Sequence, residues 1–125
     1  MDVDDALIEA AAAAGVAVFA DMPRDITRSM PCVVLDQVGG AGLRPDHHER
    51  MGVSYAAFAS SRRAAFELAK TARRAWFAAA RAATDTAGGV IGYIAEDLAP
   101  MPVPTDLAGV HRSQGTVTVS LRPSR

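Results

Sequence analysis

From Ala65 to Ala83, apolar side chains return every three or four positions. Ala65, Leu68, Ala69, Ala72, Trp76, Ala79, Ala80 and Ala83 fall on one face; Arg63, Glu67, Lys70, Arg74 and Arg81 fall on the opposite arc. A 3.6-residue period held for about six turns predicts one continuous helix, capped by Ser60–Ser61 and ending near Ala83. Its alanines allow a close approach to a sheet, and Trp76 supplies bulk. The other extended apolar segments, apart from a short N-terminal helix, read as strands. A chain of this kind must lay one long helix across a sheet.

The strands follow from alternation and from breakers. Cys32–Val38 is valine-rich and free of breakers, so a strand is predicted there. Gly39–Gly42 reads as a turn, and Leu43–Arg50, with Pro45, His47 and His48, as an exposed loop. Met51–Ala59 is a strand with Met51, Val53, Tyr55 and Ala57 on one face and Gly52, Ser54, Ala56 and Phe58 on the other. After the helix, Thr84–Gly89 is a turn and Val90–Leu98 a strand. Pro100, Pro102 and Pro104 read as a stiff connector. Gln114–Arg122 is a strand with Val117, Val119 and Leu121 inward and Thr116, Thr118, Ser120 and Arg122 outward. At the other end, Asp2 or Asp4 caps a helix running to about Ala14, stopped by Gly15. Val16–Phe19 is briefly extended, and Met22–Pro31 is a loop. The expected fold is therefore α+β, in the order α-β-β-β-α-β-β. It is a mostly antiparallel or mixed sheet of four to five strands, packed against one long helix and a shorter N-terminal helix. Residues 1–125 form one domain.

Charge excludes some functions. Thirteen Lys and Arg stand against fourteen Asp and Glu, a formal net charge of -1. That gives no global attraction to nucleic acid or anionic membrane. The start Met1-Asp2-Val3-Asp4-Asp5 is acidic where a secretory signal is basic, and Ala10–Ala14 is too short to span a bilayer. Cys32 is the sole cysteine, so no internal disulfide forms. A cytosolic protein without a membrane partner is expected.

No constellation for chemistry emerges. Gly40-Ala41-Gly42 follows a strand, but Pro45 stands where a dinucleotide loop needs its third glycine. His47-His48-Glu49 suggests a metal, yet adjacent histidines rarely converge on one ion and no supporting ligand has the right spacing. Glu96 and Asp97 are strand neighbours and point to opposite faces. No nucleophile elbow is present. Neither catalysis, cofactor nor metal is expected. The most distinctive charge feature is the arc Arg62, Arg63, Lys70, Arg73, Arg74 and Arg81. It reads either as a solvated helix face, with Glu67 pairing locally, or as a surface that meets a protein neighbour or passing DNA. Arg63, Lys70, Arg74 and Arg81 are the candidate assembly or DNA-channel face. An open sheet also leaves edges able to pair with another chain, and outward Phe58 or Phe77 would add contact area.

Four runs carry a resemblance. Met30-Pro31-Cys32-Val33-Val34-Leu35-Asp36-Gln37-Val38-Gly39-Gly40 leads from a loop proline into a strand closed by paired glycines. Val53-Ser54-Tyr55-Ala56-Ala57-Phe58-Ala59 leads directly into Arg63-Ala64-Ala65-Phe66-Glu67-Leu68-Ala69. Asp106-Leu107-Ala108-Gly109-Val110-His111-Arg112 precedes the last strand. From about Ala6 to Arg122 this order resembles the tail terminator family, minor tail proteins of long-tailed bacteriophages. The resemblance implies a mixed sheet on helices and a structural protein that forms a homo-hexameric ring. Such a ring caps the tail tube, stops its growth and presents a surface for head joining. It implies contacts with the tail tube protein, the head–tail connector and DNA passing through the ring. It also implies assembly in the host cytoplasm and a final place in the virion tail. No cofactor is implied. The competing expectations are a tail completion or head–tail joining protein, and a small ligand-binding α+β domain in which Tyr55, Trp76 and Tyr93 line a pocket. An enzyme would need His111, Glu96 and Asp97 brought together.

Overall fold

Ser61 is extended, and its hydroxyl accepts from the Ala64 N–H at 3.0 Å, so the chain turns from strand to helix at that residue. A computed structural model describes residues 1–44 and 48–124, and the side chains of residues 40–44 fall outside the description. Its elements are α1 (Val3–Ala12), β1 (Val18–Phe19), α2 (Ile26–Ser29), β2 (Cys32–Arg44), β3 (His48–Ala59), α3 (Arg62–Arg81), β4 (Asp85–Thr86), β5 (Gly89–Val103) and β6 (His111–Arg122). The strands form one sheet in the order β1-β2-β3-β6-β5-β4. β1 pairs with β2 in parallel and every other pair is antiparallel. The α+β class and the mixed sheet are as expected. The strand number is six, because the short segments Val18–Phe19 and Asp85–Thr86 both join.

The helical face predicted from periodicity is the buried one: Ala65, Ala69, Ala72, Trp76 and Ala79 are closed from solvent. α3 lies across β5, β3 and β6. Trp76 meets the ring of Tyr55 edge-on, with centroids 5.0 Å apart and planes at 85°. Its indole N–H donates to the Leu7 carbonyl at 2.9 Å, which fixes α1 beside α3. α1 begins at the Asp2 cap and ends two residues short of the expected Ala14, with Gly15 following at φ +77°. Val33, Leu35, Val53, Tyr55, Ala57, Ile91, Val117, Val119 and Leu121 complete this core.

Four local readings are corrected. Gly39–Gly42 is part of β2, not a turn. β2 bulges between Gln37 and Gly39, and Gly39 takes φ +146° opposite Gly52. A Cβ on Gly52 would meet the Gly39 carbonyl at 3.3 Å, so two glycines let the strands stay paired through the bulge. The Leu43–Arg50 loop is also overturned at both ends: Leu43 and Arg44 belong to β2, and His48, Glu49 and Arg50 to β3. Pro45 and His47 lie outside the described residues. The proline connector is strand as far as Val103. Pro100 and Pro102 are tolerated because β5 pairs only with β6 there, and proline fits an edge strand. Finally, the Met22–Pro31 loop contains α2, capped by Asp25.

α2 serves the other sheet face. Ile26, Cys32, Ala56, Phe58 and Val110 form a second, smaller apolar cluster, with Met30 and Val34 against it. Phe58 is therefore buried, and Phe77 is half-buried against the main core. Neither supplies the outward contact area expected of it.

Candidate assembly surface

At 100° per residue, Arg63, Lys70, Arg74 and Arg81 fall within about 40° of one another. That ridge lies opposite the buried alanines and runs about 27 Å at 1.5 Å per residue. Arg63, Arg74 and Arg81 are exposed and Lys70 is half-buried. Lys70 Nζ sits 3.9 Å from Glu67 Oε1 and 5.1 Å from the Phe66 ring centroid. Arg74 donates to the Thr71 hydroxyl at 3.3 Å. Both the local pairing and the outward ridge expected of this face are present. Arg73 leaves the arc: its guanidinium forms a two-point ion pair with Glu96 on β5 and stacks over Phe77 at 5.4 Å. The hydrogen bond to Glu96 holds its proton more tightly than usual.

The N-terminal end of α3 forms one wall of a groove against the end of β5. Arg62, Arg63, Phe66, Glu67 and Pro102 line a hollow of about 560 Å³. Around Pro102 a second hollow of about 320 Å³ adds Pro104, His111 and Arg112. The lining joins an aromatic ring and prolines to the cationic side chains of Arg62, Arg63 and Arg112 and the Glu67 carboxylate.

The acidic surface lies elsewhere. Residues 1–38 carry seven carboxylates and two arginines. Asp4 is half-buried beside Asp2, Asp5 and Asp21. Burial first, then these neighbouring charges, push its carboxyl above the ordinary range, against a lowering hydrogen bond from Gln37 at 3.2 Å. Asp2 N–H donates to the Gly88 carbonyl at 2.8 Å, which ties this end of α1 to the turn before β5.

The sheet face away from α3 is covered by α2 and the Pro104–Val110 loop only at the β2–β3 end. Beyond that cover, Thr116, Thr118 and Ala95 are half-buried, while Tyr93, Leu98, Met101 and Val38 are each about 60 % exposed. No described strand pairs with the outer side of β5 beyond Ile91. Next to this face a hollow of about 330 Å³ is lined by Met22, Asp36, Phe58 and Arg112 among others. Arg112 bonds Gln114, which donates to Ser54 Oγ at 2.9 Å, and the guanidinium lies 5.8 Å from the Phe58 centroid.

The groups considered for catalysis or ligand binding stay apart. Glu96 pairs with Val117, six positions along β6 from His111, or roughly 20 Å at 3.4 Å per residue. Asp97 points away from Glu96 and accepts from the Thr118 hydroxyl at 2.7 Å. Tyr55 and Trp76 are in the core and Tyr93 is on the open face, so the three line no common pocket. Cys32 is buried, which pushes its thiol up. Among the described residues no three His, Cys, Asp or Glu are grouped to hold a metal, and no helix is long and apolar enough to cross a membrane.

Sequence reasoning missed the groove and the exposed row Tyr93, Leu98, Met101. Their signal was present: apolar residues continue past Leu98 through the prolines, as an edge strand allows.

No protein-family model matches the chain, and no curated protein matches it. Among solved structures, a chain from one described as the virion of a native gene transfer agent (GTA) particle is similar over 90% of this chain and 84% of that one. The identity is 18% and the TM-score 0.49, a likeness too loose to carry a functional inference.

Proposed function

We propose that this chain is a structural subunit of a phage-like virion that acts by assembly rather than catalysis, as a tail terminator. In this reading its copies close into a ring, a homo-hexamer, on the end of the tail tube. The ring stops tube growth and offers its far side to the head–tail connector, with DNA passing through the centre. It assembles in the host cytoplasm and remains in the virion tail. The observation that carries the reading is the exposed row Tyr93, Leu98 and Met101 on a largely uncovered sheet face, free to meet another protein. Exposed apolar residues gathered on one face mark an interaction surface. The order of strands and helix in the sequence supplies the resemblance that names it.

Light scattering across a concentration series tests the reading. A closed ring of about six subunits, by the rotational closure of a heterologous interface, is the expected result, either in the free protein or once tail tubes are added. A chain that stays monomeric alone and with tubes refutes it. A ring that binds the head connector but not the tube assigns the head–tail joining role instead.

A further inference from the structure

The cationic groove and the acidic end of α1 sit at opposite ends of α3. The groove is formed around Arg62, Arg63 and Phe66 at the start of that helix. Asp2 is tied to Gly88, beyond the helix's other end, where Thr84 N–H bonds the Ala79 carbonyl. A 20-residue helix spans about 30 Å, so a subunit cannot fill its own groove with its own acidic end.

We infer that the groove between α3 and the end of β5 is the docking site for the acidic α1 surface of a second copy of this chain. The inference rests on the ring reading and says where neighbouring subunits meet. Charge complementarity carries it. From Ser60 to Arg81 the chain holds six basic residues and one carboxylate, Glu67. Glu67 already faces Lys70, and Arg73 is occupied by Glu96. Arg62 and Arg63 remain in the groove lining, with Phe66 and Pro102 beside them. The acidic surface offers Asp2 and Asp5, both exposed at the start of α1, and Asp21, also exposed, close enough to Asp4 to raise its carboxyl. Two unlike patches on one subunit make a heterologous contact, the kind that closes rings. The edge of β5 is a poorer alternative contact, because Pro100 and Pro102 lack N–H donors and register shifts interrupt its pairing with β6.

The test uses two charge-reversed forms of the full chain. One carries Arg62→Glu and Arg63→Glu; the other carries Asp5→Lys and Asp21→Lys, which spares the Asp2 cap. Circular dichroism and thermal unfolding establish that both fold. Self-association is read by sedimentation and light scattering at 50 and 500 mM salt, with tail tubes present if the free wild type does not assemble. Wild-type assembly is expected to weaken by about tenfold or more at the higher salt. Each variant alone is expected to be a monomer. An equimolar mixture is expected to recover the wild-type mass, since every contact in an alternating assembly is again complementary. If both variants assemble as well as wild type, or the mixture fails to recover, the docking site is wrong while the ring reading stands. If wild type never assembles, the ring reading falls with it. A groove that captures an acidic tube protein and no second copy also overturns the inference.

Discussion

The Tyr55 hydroxyl gives the sharpest quantitative test of the core. Tyr55 is fully buried, held edge-on to Trp76, and its hydroxyl oxygen has no hydrogen-bond partner among the described residues. An unsatisfied buried polar group costs about 1–3 kcal/mol. Tyr55→Phe removes that cost and leaves a gap the size of one oxygen. At about 24 cal/mol per Å³, a gap of roughly 20 Å³ costs about 0.5 kcal/mol. The net expectation is stabilisation of about 1 kcal/mol. With an unfolding entropy near 2.1 cal/mol/K per residue, a chain of 125 residues should gain about 4 °C in Tm. Urea unfolding followed by Trp76 fluorescence, alongside calorimetry, measures both quantities. A Phe variant that loses 1 kcal/mol or more refutes the reasoning, because it means that the hydroxyl makes a bond worth more than its desolvation.

Burial, with Glu96 adding to it, pushes the Tyr55 phenol up to about 12 from 10.0. In a Tyr93→Phe chain, where Tyr55 is the only tyrosine, the 295 nm titration should fall near that value. The folded state then holds the proton more tightly than the unfolded one. Stability should be unaffected by this group below pH 10 and decline by about 1.4 kcal/mol per unit from there to about 12; a wild-type profile that runs parallel to that of Tyr55→Phe over this range would contradict this. Gly88→Ala should destabilise by about 1–3 kcal/mol and loosen α1, since a Cβ there would sit 2.2 Å from the Asp2 carbonyl oxygen and 2.6 Å from the Ala6 nitrogen. Hydrogen exchange in α1 reads the loosening directly. Glu96→Gln should cost only about 0.5 kcal/mol by urea unfolding, because the ion pair with Arg73 is about a third exposed and the stack on Phe77 survives.

The long helix and its buried face were legible because a period of 3.6 over twenty residues has one geometric solution, and β6 because strict alternation has another. The glycine run after Val38 was not. Glycine signals a turn and a bulge alike, and only the opposing Gly52 decides between them. The prolines after Leu98 misled for a related reason: proline forbids a central strand but not an edge, and edge position is a property of the whole sheet. Most of the basic arc is solvent-facing, as its spacing implied, but one member is not part of it. Arg73 belongs to β5 through Glu96, a residue twenty-three positions away, and no local pattern announces such a pair.

These same features bear on how subunits can meet. A strand as long as β5 with one edge open is a template for uncontrolled pairing, and here its register with β6 shifts between Ile91 and Tyr93, between Glu96 and Leu98, and between Leu98 and Met101. Each shift adds local twist, and Pro100 and Pro102 remove donors from its far half. A chain that only needed a neighbour at its edge would gain from a straight strand with every donor free. This one blunts the edge, yet leaves Arg62 and Arg63 with Phe66 and Pro102 beside it and holds Asp2 and Asp5 about a helix length away. Backbone pairing along an edge tolerates slippage, whereas a charged patch seated in a shaped groove fixes one register and one polarity. Under the ring reading proposed above, a subunit that has to stop at a closed ring needs the second kind of contact.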